Sequence, residues 1–368
     1  MKKIIVMLLT LAMVLSLAAC SGTQTPKDNT PAAPTEAPTE APVETAPTEA
    51  PAEEVPETPA EITPVDVNFA VLTGPTGVGA VGLWEAADAG ETADNYTITA
   101  VADNSQIQAG LINGDYDIAA VATNVASALY NKTEGKVQVI AINTLGVLYI
   151  LERGDTVNSV ADLKGKTIYS PGQGANPEYA LRYILASNGL SVSTPTDVVA
   201  DADVEIVFDD ASVIQTKMAA GEIDLCMLPV PAATAVLINN QDVRSALDMT
   251  AEWDALGTGG QLTMGCVAVR TAFAQEHPDA VARFLEVYEQ SIEGVKADVD
   301  HAAELCETYG IVPKAAIAKR AIPDCSLTFV AGADMRATLE PYYQVLFDAN
   351  PASIGGGMPG DDFYWTAP

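Results

Sequence analysis

From residue 66 onward the chain alternates short apolar runs with longer stretches in which apolar residues recur every three or four positions. The run Phe69–Leu72 breaks at Thr73-Gly74-Pro75-Thr76-Gly77, and helical spacing then carries through Leu83 and Trp84 to Gly90. The segment Lys166–Gly189 repeats the pattern: an apolar run breaks at Ser170-Pro171-Gly172-Gln173-Gly174 and helical spacing resumes after Asn176-Pro177. Short apolar runs bounded by turn residues predict buried strands, and a period near 3.6 predicts amphipathic helices. Both segments are therefore predicted as strand, glycine turn, helix.

A second echo follows each of these. Ile107–Asn124 and Ile214–Pro231 match at a constant offset of 107 residues: Ile-Gln opens both, Leu111 faces Met218, Gly114-Asp115 faces Gly221-Glu222, and Asp117 faces Asp224. Each reads as a helix ended by a left-handed glycine, then a buried strand leading into another helix. The body thus holds two β-turn-α-β-α-β units, which predicts two α/β lobes with doubly wound, largely parallel sheets. Such sheets bind ligands beyond the carboxyl ends of their strands. The stretch Lys136–Gly154 reads as paired strands that complete the first lobe, and Val157–Lys166 as a short helical entry to the second. After a strand within Gly259–Phe273, helical patterns run over 279–299, 301–309, 313–321 and 334–350. Chain crossings are expected near Gly154 and Gly260, giving lobe one as 66–154 with 259–368 and lobe two as 155–258. Two crossing strands make a hinge.

The amino-terminal region has a different composition. Met1-Lys2-Lys3 precedes an apolar run from Ile4 to Val14, and Leu17-Ala18-Ala19-Cys20 follows. This reads as a signal peptide over 1–19, too short to span a membrane comfortably. Its end resembles the bacterial lipobox, which makes Cys20 the expected lipid-attachment residue; the alternative is an ordinary signal peptide with an incidental cysteine. Residues 20–65 carry ten of the 23 prolines, and nine acidic residues against Lys27 alone, a composition expected of a solvated, disordered tether. The chain has 49 Asp and Glu against 18 Lys and Arg, a formal charge of −31, which argues against nucleic acid as a partner. Cys226 and Cys266 lie in apolar runs and read as core residues. Cys306 and Cys325 could form a disulfide or remain free, and the sequence leaves this open. No spacing suits a metal, and no cofactor is implied.

The glycine turn at 170–176 lacks the lysine and hydroxyl of a nucleotide-binding P-loop and the last glycine of a dinucleotide fingerprint. Only His277 and His301 are available as histidine bases, both on predicted helices, and no nucleophile elbow is present, so no catalytic residue is nominated.

Taken together, the lipobox, the acidic Pro-rich tether and the stretches VADLKGKTIYSPGQGANPEYALRYIL, MAAGEIDLCMLPVPAATAVL and EHPDAVARFLEVY resemble the bacterial solute-binding lipoproteins of ABC importers. The similarity runs from Met1 to about Phe347. It is closest to the branch that includes sulfonate-, taurine-, nitrate- and thiamine-pyrimidine-precursor-binding proteins. The resemblance implies a type II periplasmic-binding fold, a two-lobed "Venus flytrap" of two doubly wound sheets joined by a two-strand hinge. It further implies a lipid-anchored monomer on the outer face of the cell membrane that passes a small solute to a permease and is not an enzyme. In that frame the turns read as a solute clamp. Ser170, Gln173, Gly174, Ala175 and Asn176 would act from lobe two, facing Thr73, Gly74, Thr76 and Gly77 from lobe one. Asn104, Thr123, Asn124 and Pro229 at strand or helix ends complete the candidate set, which suits a small polar or anionic solute, or a flat heterocycle stacked on Trp84, Tyr149 or Tyr179. A membrane-tethered sensor and a surface enzyme on the same scaffold are the alternative functions. The carboxyl-terminal Gly360–Trp365 reads as a tail packed on lobe one or as a lid.

Overall fold

The computed structural model describes residues 62–257 and 260–367. The expected signal peptide, Cys20 and the tether up to residue 61 lie outside the described residues. The body holds two six-stranded sheets. Strands β1 (Asp66–Leu72), β2 (Asn95–Val101), β3 (Ile118–Ala122) and β4 (Val137–Thr144) build the first sheet, with β11 (Gly265–Arg270) and β12 (Leu327–Ala331) returning to it. Strands β5 (Leu148–Arg153), β6 (Lys166–Ser170), β7 (Val192–Ser193), β8 (Val204–Phe208), β9 (Leu225–Pro229) and β10 (Val243–Asp248) build the second.

The sheets share one plan. In the first, β1 lies parallel between β2 and β3, and β11 runs antiparallel beside β3. In the second, β6 lies parallel between β8 and β9, and β5 runs antiparallel beside β9. All five residues of β3 are buried, as expected of a strand covered on both faces. The duplicated segments superpose in sequence as predicted: helices Asn104–Asn113 and Ala211–Ala220 lie 107 residues apart and end on left-handed Gly114 (φ 86°) and Gly221 (φ 70°). Arg270 meets Asp117 at the end of β3, and Arg153 meets Asp224 at the equivalent end of β9.

One boundary departs from expectation. β4 and β5 do not pair with each other; β4 closes on β11 and β12 while β5 enters the second sheet between β9 and β10. The chain therefore crosses between the halves at Leu145–Val147 rather than near Gly154. Alternation alone could not assign two consecutive apolar strands to different sheets. The return crossing falls between helix Met249–Ala255 and β11. Strand β12 was not foreseen; it is a half-buried edge strand that, among the described residues, pairs with β4 alone.

The four body cysteines are free and buried, so Cys306 and Cys325 form no disulfide. The carboxyl-terminal segment packs on the first half: Tyr364 bridges Val139 in parallel, the Trp365 amide donates to the Val139 carbonyl, and Phe363 is fully buried.

Candidate functional site

A cleft of about 870 Å³ opens between the halves, at the carboxyl ends of β1, β3, β8 and β9. Thr73, Thr76 and Asn104 line it from the first half; Gln173, Gly174, Ala175, Asn176 and Pro229 line it from the second. The sequence-nominated turns thus meet across one space. Gly74, Gly77, Thr123, Asn124 and Ser170 do not line it. Gly74 takes φ 94° to start the turn Pro75–Val78, and a Cβ on Gly77 would stand 2.5 Å from the Leu72 carbonyl oxygen, so both shape the wall from behind. The Thr123 carbonyl accepts from the Tyr343 hydroxyl, and the Ser170 hydroxyl donates to the Pro171 carbonyl. Trp84 stacks on Tyr309 at 4.5 Å, away from the cleft, and neither Tyr149 nor Tyr179 lines it.

Asn124 and Asn176 join the halves. The Asn176 amide, at the start of helix Asn176–Ser187, donates to Asn124 Oδ1 at 3.1 Å. Asn124 Nδ2 in turn donates to the carbonyls of Ser353 (3.1 Å) and Gly174 (3.4 Å). The Asn176 side chain donates to the Met264 carbonyl and accepts from the Tyr342 hydroxyl. A helix terminus needs its first N–H groups satisfied, and here the opposite half satisfies one of them.

The same accounting shows which donors are already used. The Gly174 amide is bound by Glu178 Oε2 at 2.8 Å and the Ala175 amide by the Gly172 carbonyl. The Gly74 amide donates to the Ile311 carbonyl. The amides of Ser105 and Gln106 are capped by Asp103, whose carboxyl is held below the usual range first by the Ser105 hydroxyl and then by these amides. The backbone donors expected to clamp a solute are therefore spent on the protein itself, and the side chains of Thr73, Thr76, Gln108 and Asp210 stand as unspent polar groups on the walls.

Sequence reasoning missed Asp103, Gln108, Phe208, Asp209 and Asp210, all of which line the cleft. The duplicated segment held the signal for two of them. Extending the 107-residue offset four residues upstream of Ile107 pairs Asp103 with Asp210, each immediately before its helix.

The cysteines and histidines among the described residues lie elsewhere. Burial pushes the thiols of Cys226 and Cys306 up to about 12, and those of Cys266 and Cys325 higher still. His301 pairs with Glu85 at 2.8 Å on the outer surface. Among the described residues no group of His, Cys, Asp and Glu is placed to hold a metal ion.

Residues 96–302 match the family model described as NMT1/THI5 like. The chain belongs to the NMT1/THI5-like family. A curated protein of Brucella abortus (strain 2308), named as a candidate binding protein, is 25% identical over 274 residues, covering 73% of this chain and 78% of its own. Among solved structures, an ABC transporter protein from Parabacteroides distasonis superposes with a TM-score of 0.66 at 19% identity, covering 82% of this chain and 98% of its own. The periplasmic aliphatic sulphonate binding protein SsuA of Escherichia coli superposes at 0.64 with 14% identity, over 83% and 94% of the two chains. The alkanesulfonate-binding SsuA of Xanthomonas axonopodis pv. citri, bound to MOPS, does so at 0.61 with 16% identity, over 80% and 95%. This member of the NMT1/THI5-like family thus has the two-lobed type II periplasmic-binding fold expected from its sequence.

Proposed function

We propose that this chain is the extracytoplasmic solute receptor of an ABC importer, capturing a small polar solute between its halves and presenting it to a membrane permease. The observation that carries this reading is the cleft: turns from two duplicated units, separated by two chain crossings, line one space. The solved relatives include proteins named for sulfonates and for ABC transport, which supports the class of function. Binding rather than turnover is supported by the absence of His and Cys from the described residues lining the cleft. The Leu17-Ala18-Ala19-Cys20 stretch supports lipid attachment at Cys20 and tethering to the outer face of the cell membrane, with the Pro-rich segment as spacer.

Melting the full chain against a panel of small solutes, followed by small-angle scattering, tests the reading. A true ligand held at 100 times its Kd is expected to add about 2.7 kcal/mol of stability and to make the protein more compact. A chain that responds to no small solute is not a receptor. Loss of uptake of the identified solute on deleting the gene separates transport from sensing.

A further inference from the structure

The duplicated halves set matched aspartates on the two walls of the cleft. Asp103 and Asp210 each precede the first residue of a helix, at the constant offset of 107, and both line the space. They are not used alike. Asp103 caps its helix through the Ser105 and Gln106 amides, whereas the Asp210 side chain makes no cap bond and is exposed. Asp209 beside it is paired with Lys217, which leaves the charges of Asp103 and Asp210 without a basic partner. Among the described residues that line the cleft none is Lys, Arg or His.

A second observation is independent of these carboxylates. Thr76 is only 6% exposed, lines the cleft and has no hydrogen bond from its hydroxyl. Its oxygen is not among the buried polar atoms left without a partner, so it is reached from the cleft, where a guest's polar group can supply the missing bond. Part of the wall is apolar, from Leu72, Val125, Val147 and Met264, with Phe208 as its one aromatic ring among the described residues.

An anion would find its customary donors taken, since the amides of Gly174, Ala175, Ser105 and Gln106 are bound within the protein. The helix start at Asn176 has its first amide bound by Asn124 of the opposite half, and the uncapped start at Ala211 carries Asp209 and Asp210 where an anion would have to sit. Resting on the receptor reading above, we propose that the solute is an organic cation: an ammonium head gripped between Asp103 of one half and Asp210 of the other. Its N–H groups would also be accepted by the Thr76 hydroxyl, and its body would lie against the apolar wall, where a cation gains further attraction from the face of Phe208. Closing the empty cleft brings like charges toward each other, and a positive guest removes that opposition. Charge on the solute is thereby coupled to closure.

Calorimetric titration of the full chain with choline, putrescine and benzylamine, against ethanesulfonate and nitrate, tests the proposal. At least one cation is expected to bind and neither anion, with affinity falling as salt is raised, because partly exposed charges are screened. The substitution Asp210→Asn keeps the shape, removes no cap, and is expected to weaken cation binding about tenfold or more, the scale of a lost charge-assisted hydrogen bond. Asp103→Asn serves as the companion variant, and circular dichroism melting reports whether each remains folded. Binding of an anion but of no cation overturns the cationic solute and leaves the receptor standing. Cation binding unchanged by Asp210→Asn in a folded protein overturns the grip. Response to neither class overturns both.

Discussion

His301 and Glu85 show how a single contact on the outside of the molecule carries a pH dependence. The Glu85 carboxylate, 2.8 Å from Nε2, raises the His301 pKa above its ordinary value of 6.5. The charged pair therefore contributes its full stability below pH ~6.5, and the contribution is lost as pH rises through the raised value. Both side chains are about half exposed, at 49% and 46%, so solvent screens the pair. Its worth is limited to about 0.2–1 kcal/mol. Urea midpoints measured between pH 6 and 8 are expected to fall in the native protein by this small amount relative to His301→Gln, and the difference should shrink in high salt. Parallel profiles for the two proteins would mean that the pair contributes nothing. Legibility in the sequence differs sharply at this scale. Thr73, Thr76 and Gln173 could be nominated because glycine turns announce where a strand ends. Asn124 and Asn176 could be nominated too, but their partners come from residues 88 and 229 positions away, and no local pattern reports that their polar atoms are spent on Met264 and Ser353.

Among the elements, the two repeated helices separate backbone strain from packing. Gly221 ends helix Ala211–Ala220 at φ 70° with open space around a would-be Cβ, so an alanine there suffers only from its conformation. Gly110 lies inside helix Asn104–Asn113, where a Cβ would stand 2.1 Å from the Tyr116 ring. Gly221→Ala is expected to cost about 1–2 kcal/mol, the left-handed penalty, with Gly221→Asn partly restoring it. Gly110→Ala must displace the ring and is expected to cost about 1–3 kcal/mol by overpacking. Urea unfolding of the three variants checks the order, and equal stability of Gly221→Ala and Gly221→Asn would remove the conformational explanation. The repeat itself was the most legible feature of the chain, since a left-handed glycine followed by a fully buried strand leaves a fixed mark in sequence. The membership of β4 and β5 in different sheets was not legible, because both are short apolar strands and only their partners, β11 and β9, distinguish them.

At the scale of the whole molecule, Asn124 is hydrogen-bonded to both halves. Asn124→Ala leaves the Asn176 amide and the Ser353 carbonyl without partners in a buried setting. A loss of about 1–3 kcal/mol per unsatisfied buried group is expected in chemical denaturation, together with a looser arrangement of the halves in small-angle scattering. Unchanged stability and an unchanged scattering profile would show that the contact holds nothing. The connection at Leu145–Val147 sets what such loosening can do. It is three residues long, and a Cβ on Gly146 would lie 2.1 Å from the Thr250 hydroxyl oxygen, so the linker is pressed against the helix beside it. A strap that short cannot pay out slack. The jaws of this caliper must swing about a nearly fixed pivot rather than drift apart, and the width of object they can measure is bounded by angle alone.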